Sequence, residues 1–210
     1  MWWDMNRPVV YTNPGATATR DRLIATGLKN LLGHGYEGMG IGPVLAEAGV
    51  PKGSFYHYFA SKDDFAAEIV GAYEARYEAM RQRIFGDERL SPMARLDAYF
   101  TELQSELGHT LPHGGCLYGS LAQTASSRSP AFQTALAAAY DAWHASLAEQ
   151  IDAAKARGEV DPVVDTQVVV ADLINLYEGV IVRLKITGNL DAFSSLRRYL
   201  AGLGSFSVRA

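Results

Sequence analysis

A single cysteine, Cys116, leaves this 210-residue chain no internal disulfide and points to a reducing, cytoplasmic setting. Long apolar runs are missing too. A bilayer span needs roughly 20 consecutive apolar residues. The longest stretch without Asp, Glu, Lys or Arg, from Leu107 to Ser127, is interrupted by His109, Pro112, His113, Gln123 and four glycines. No membrane partner is expected. The opening Met1-Trp2-Trp3-Asp4 lacks the basic start and apolar core of a secretory signal. Sustained apolar/polar alternation is absent as well, which removes any need for strands. Charge of one sign is scarce, and a formal net charge of -4 argues against indiscriminate nucleic-acid binding. Its distribution is uneven. Residues 1 to 62 carry six Lys/Arg against four Asp/Glu, whereas the remainder carries thirteen against nineteen.

What the chain does have is helical periodicity, so the expected fold class is all-α. Ser91-Pro92, Ser129-Pro130 and Asp161-Pro162 each set a side-chain acceptor before a proline, which suits a helix start because proline has no N–H to leave unpaired in the first turn. The helices they open are expected to reach about Leu107, Arg157 and Ile186, with Gly108, Gly158 and Gly188 as stops. Ser61 with Asp64 three residues on predicts another start, running to Phe85. Residues 1 to 16, with Arg7 among them, show no helical pattern and read as a flexible tail.

Catalytic and metal signals are weak. Gly33-x-Gly35-x-x-Gly38 follows a helix and not a strand, which removes the dinucleotide reading. His113-Gly114-Gly115 resembles part of a hydrolase loop, but no G-x-S-x-G supplies a nucleophile. Of His34, His57, His109, His113 and His144, only His109 and His113 are close in sequence, with no carboxylate at ligand spacing. No catalytic residue, metal or cofactor is expected.

The N-terminal segment is more specific. Leu23, Ile24, Leu28, Leu31 and Leu32 mark a first helix, and Val44, Leu45 and Ala48 a short second one with Pro43 in its first turn. Ala48-Gly49-Val50-Pro51 then makes a tight turn into Lys52-Gly53-Ser54-Phe55-Tyr56-His57-Tyr58-Phe59. Phe55 and Phe59, four apart, share an inward face. Lys52, Ser54, Tyr56, His57 and Tyr58 are left facing outward, a set with a cation, an imidazole and hydroxyls but no carboxylate. Two short helices joined by a glycine-bearing turn form a helix-turn-helix, and such a face suits the DNA major groove.

The string from Gly49 to Phe59, followed by Ser61-Lys62-Asp63-Asp64-Phe65, strongly resembles the recognition helix of the tetracycline-repressor (TetR) family of bacterial transcription regulators, and the likeness covers about residues 18 to 70. The resemblance implies a homodimer on a palindromic double-stranded DNA operator, released by a small-molecule inducer. By position, Lys52, Ser54, Tyr56 and His57 would contact bases or nearby backbone, and Tyr58 and Lys62 would clamp phosphates. Gly40 and Gly42-Pro43 depart from the family's usual second helix.

The expected organisation is a tail over 1–16, a helix-turn-helix DNA-binding domain over 17–60 in a three-helix bundle, and a helical ligand-binding and dimerisation domain over 61–210. The helix from Pro162 is apolar over most of its circumference, and the last, about Asp191 to Leu203, carries Phe193, Leu196, Leu200 and Leu203 on one stripe. The family pairs its last two long helices with their mates, so glutamate at Val180 or Ile181 is expected to give monomer. Inward-facing aromatic and polar residues are candidates for a ligand site: Tyr73, Tyr77, Tyr99, Tyr140, Trp143 and Tyr177, with Gln123 and Glu178 as orienting groups. Around Cys116, Tyr118 and Gln123 the chain also resembles a TetR subgroup responding to acrylate and electrophiles. Cys116 reads either as a small core residue or as a thiol activated at a helix N-terminus. The alternative from another class is a helical enzyme or small-molecule-binding protein without DNA binding.

Overall fold

The computed structural model describes residues 16–110, 115–125 and 130–204, and within them every regular element is helical. The tail with Arg7, the loop residue His113 and the cap residue Ser129 lie outside the described residues. The chain divides into two compact units. One takes residues up to Ala75 together with Cys116–Ala139, and the other takes Arg76–Gly115 with the residues from Tyr140 onward.

In the first unit, α1 (Ala16–Gly38) buries Leu23, Ile24 and Leu31 and breaks at Gly35, after which Tyr36 and Met39 turn inward. Helix α2 (Ile41–Glu47) starts at Gly40 with no side-chain cap. Its hold on α1 comes from elsewhere: Glu47 accepts from Lys29 Nζ at 2.6 Å and from Asn30 Nδ2 at 2.9 Å. Those two hydrogen bonds, Lys29 first, hold the Glu47 carboxyl below the usual carboxylate range. Their contribution is therefore present above the unfolded-chain value and fades as acid protonates Glu47. Gly49, at φ 64°, makes the expected turn, with Val50 N–H bonded to Leu45 O at 2.9 Å.

The third helix is shorter than its sequence suggests. Lys52–Ser54 form one 3-10 turn, α3 (Phe55–Tyr58) is a single α turn, and Phe59 is already extended. Helix α4 (Lys62–Phe85) opens as expected, Ser61 Oγ accepting from Asp64 N–H and donating to the Asp64 carboxylate, both at 3.0 Å. The break between compact units falls inside α4, near Ala75 rather than residue 60, because Phe65 and Ile69 pack against α1. Gly27 permits that approach, since a Cβ there would lie 2.5 Å from Phe65 Cζ and 2.6 Å from Ile69 Cδ1. Both side chains are fully buried and have nowhere to move. Gly27→Ala is thus expected to destabilise the protein by about 1–3 kcal/mol through overpacking, despite alanine's better helix propensity; thermal unfolding checks this.

Helix α6 (Leu117–Thr124) packs on α1, burying Leu117, Tyr118 and Leu121. Helix α7 (Pro130–Ala156) contributes Phe132, Leu136 and Ala139 to this unit before its later turns join the other.

The second unit is built on α5 (Pro92–Thr110), α8 (Thr166–Thr187) and α9 (Ser194–Gly204) with the ends of α4 and α7. Ser91 caps α5 as expected, accepting from Ala94 N–H at 3.3 Å. The start of α8 needs correction. Asp161 accepts from Val163 N–H at 2.9 Å in a separate turn, and the helix begins four residues later under Asp165, which accepts from Gln167 N–H at 2.8 Å. Lys155 Nζ donates to the Val164 carbonyl at 2.8 Å, holding it outside a helical ladder. Gly188, at φ 66°, stops α8 as expected.

Phe193, Leu196, Leu200 and Leu203 all turn inward, as their stripe predicts. Val180 and Ile181 require a second correction: at 2% and 5% exposure they lie in the core of their own chain. The outer face of α8 is instead marked by Val168, Gly179, Val182 and Ile186, the last two 51% and 78% exposed. Periodicity shows that α8 is apolar on several sides, but not which side its own chain covers.

Candidate nucleic-acid interface and sensing residues

A helix of one turn has almost no stability of its own, so α3 depends on its two phenylalanines. Phe55 and Phe59 are buried against Phe65 of α4, with ring centroids 5.3 and 4.6 Å away. The Arg20 guanidinium lies 5.5 Å from the Phe59 ring and pairs with Glu68 at 2.8 Å. This anchoring turns the rest of the segment outward. Tyr56 is 70% exposed, Lys52 and His57 are exposed, and Ser54 and Tyr58 are half-buried. No carboxylate occurs between Val50 and Ala60. Lys62 is half-buried at the start of α4, with its ammonium 4.3 Å from the centre of the Tyr36 ring. Burial pushes this ammonium below its ordinary range, against a smaller opposing effect of Asp63.

The expected sensing residues separate between the units. In the first, Cys116 is 5% exposed and is the extended N-cap residue of α6. Tyr118 stacks edge-on against Tyr73 at 5.1 Å and donates to Glu74. Gln123 does not face inward. Helix α6 spends its inner positions on Leu117, Tyr118 and Leu121, which leaves Gln123 on the exposed side.

In the second unit, Tyr177 is the hub of a ring cluster, with Trp143, Phe100 and Phe193 at 5.7, 6.0 and 6.3 Å. Tyr140 lies on the cluster's exposed edge, 6.3 Å from Trp143. Its hydroxyl is pushed up, first by burial and then by the charges of Glu178 and Asp141. Glu178 is half-buried, Tyr99 is buried against Phe100, and Tyr77 donates to Glu106 at 3.0 Å.

Sequence reasoning missed Gln150. It is buried on the same α7 stripe as Trp143, seven residues away, and its carboxamide oxygen has no hydrogen-bond partner among the described residues. A buried unsatisfied acceptor is costly, and the 7-residue spacing from Trp143 was the available signal.

On the outer side of the second unit, α8 and α9 border an open groove lined by Asp172, Asn175, Gly179, Arg183 and Tyr199. Tyr199 donates to Asp172 at 2.9 Å. Burial, followed by that bond and its charge, pushes the Tyr199 hydroxyl up to about 12. Among the described residues, no three His, Cys, Asp or Glu converge as a metal site, and no helix is long and apolar enough to cross a membrane.

Comparison with known proteins matches residues 23–69 to the bacterial regulatory proteins of the tetR family, and residues 92–200 to the tetracyclin repressor-like C-terminal domain. The chain belongs to the TetR family. The transcriptional regulator AcuR of Cereibacter sphaeroides is 34% identical, over 88% of this chain and 84% of its own. The HTH-type transcriptional repressor DhaR of a Mycobacterium species is 28% identical, over 84% and 89%. Among solved structures, a regulatory protein TetR from Rhodobacter sphaeroides superposes with a TM-score of 0.82 at 30% identity, covering 88% of this chain and 97% of that one. The all-α fold with an N-terminal helix-turn-helix is thus the TetR fold, and the family assigns this chain to transcription regulation.

Proposed function

We propose that this TetR-family regulator is a homodimeric repressor that binds a palindromic operator through α3 and leaves it when a small molecule occupies the second unit. The carrying observation is the α3 surface. Lys52, Tyr56 and His57 stand exposed on a turn that exists only because Phe55 and Phe59 are anchored beneath it, and no acidic side chain interrupts them. In this reading Lys52, Ser54, Tyr56 and His57 read bases or nearby backbone, while Tyr58 and Lys62 hold phosphates. The residues from 61 onward serve ligand binding and dimerisation, and the protein works in the cytoplasm, where its DNA is.

Tyr56→Ala or His57→Ala is expected to weaken operator binding by about 1–3 kcal/mol where the ring bonds a base edge. A gel-shift titration checks this, and unchanged affinity in both variants would remove α3 from recognition. A helical enzyme or binding protein without a DNA partner would show no salt-dependent duplex binding at all.

The ring cluster around Tyr177 and Trp143, with Gln150 as an orienting amide, supports a small, largely apolar inducer carrying a hydrogen-bond donor. The burial of Cys116 favours a packing role over a reactive one. Cys116→Ser is expected to retain both operator binding and release by reversible ligands. Loss of release confined to thiol-reactive compounds would assign sensing to the sulfur instead.

A further inference from the structure

Lys62 occupies an unfavourable position. It stands in the first turn of α4, where the helix dipole disfavours a cation, and its side chain is half-buried. What compensates it is the face of Tyr36, which meets the ammonium at 4.3 Å, within the roughly 6 Å at which a ring quadrupole attracts a cation. The ring is fixed. It is buried, its hydroxyl donates to Asp63, the next residue of α4, and Phe132 in the first turn of α7 lies 5.8 Å away across its edge. One aromatic side chain therefore sets two consecutive residues at the start of the helix that follows the recognition segment.

We propose that Tyr36 is a positioning residue for DNA binding: its ring, held by Asp63 and Phe132, places the Lys62 ammonium at the operator phosphate. This rests on the reading of Lys62 as a phosphate clamp. The α4 end of the interface is then held through Tyr36, while Phe55 and Phe59 hold α3. Phe132 gives α6 and α7 a route to the same contact, because any shift of the α7 start moves the surface on which Tyr36 rests.

The test uses the full chain and a duplex that it selects from a random-sequence pool. Lys62→Ala is expected to lower affinity five- to tenfold and to flatten the slope of log K against log salt by about one, the loss of one phosphate contact. Tyr36→Leu is expected to flatten the slope equally, with Tyr36→Leu/Lys62→Ala no weaker than the worse single variant. Tyr36→Phe keeps the ring and should keep the slope. Multiplying losses in the double variant, or a parental slope in Tyr36→Leu, would overturn the proposal, since a merely structural tyrosine lowers affinity without touching the phosphate count.

A second measurement does not depend on a variant folding. In the parent chain, the Lys62 ε-methylene protons should show an upfield ring-current shift by NMR, and random-coil positions would overturn the proposal. If the parent selects no duplex, the phosphate-clamp reading fails, whereas the ring-current result still reports the Tyr36–Lys62 contact.

Discussion

Gly179→Glu is expected to turn a dimer into a monomer that keeps its helical circular dichroism and has lost most of its hold on the operator. Gly179 is exposed at the middle of the outer face of α8, and a side chain there would meet nothing in its own chain within 4 Å. Within one protomer the change is even favourable, because glycine inside a helix costs about 1 kcal/mol relative to a good helix former. In a two-fold dimer closed by this face, however, each new carboxylate meets the same patch on its twin. Separating the two recognition helices removes the benefit of linked binding, typically 10²-fold or more. Sedimentation and a duplex titration check both effects, and a persisting dimer would move the interface elsewhere. Val180→Glu is expected to behave differently, because it buries an unpaired carboxylate in the chain's own core and unfolds the protein.

Removing the ring of Phe55 is the second change with a large expected effect. Phe55 is fully buried and touches the rings of Tyr56, Phe59 and Phe65. Phe→Ala in a packed core costs about 3–5 kcal/mol, a large share of the roughly 5–15 kcal/mol that holds a domain folded. The loss should be felt first in α3, which lacks the length to persist without its anchor. Phe55→Ala is therefore expected to abolish specific duplex binding and to lower the denaturation midpoint. Near-parental stability would show that the aromatic cluster is not what holds the recognition turn.

Much of this was legible in the residues themselves. The pairing of Ser61 with Asp64 encodes a cap whose reciprocal hydrogen bonds the structure displays. The four-residue spacing of Phe55 and Phe59 shows which way α3 must turn. The start of α8 was misread because Asp161-Pro162 and Asp165 offer two acceptors in five residues, and Lys155, distant in sequence, decides between them by binding the Val164 carbonyl. Val180 and Ile181 looked like interface residues because an apolar side chain satisfies a chain's own core and a partner's surface equally well. Gln123 was expected to face inward, although an eight-residue helix has few inner positions and Leu117, Tyr118 and Leu121 fill them. Tyr36 was visible only as one member of a family string, since a stack of lysine on tyrosine 26 positions apart leaves no periodic trace.

The most direct test follows fluorescence anisotropy of a duplex selected by this chain, and of a scrambled duplex of equal length, from about 50 to 200 mM salt. If the α3 surface lies in the major groove, the selected duplex binds more tightly throughout, and its affinity falls steeply as salt competes with Lys52 and Lys62 for phosphates. Equal and salt-insensitive affinities for both duplexes, or no binding to either at the lowest salt, would contradict the account.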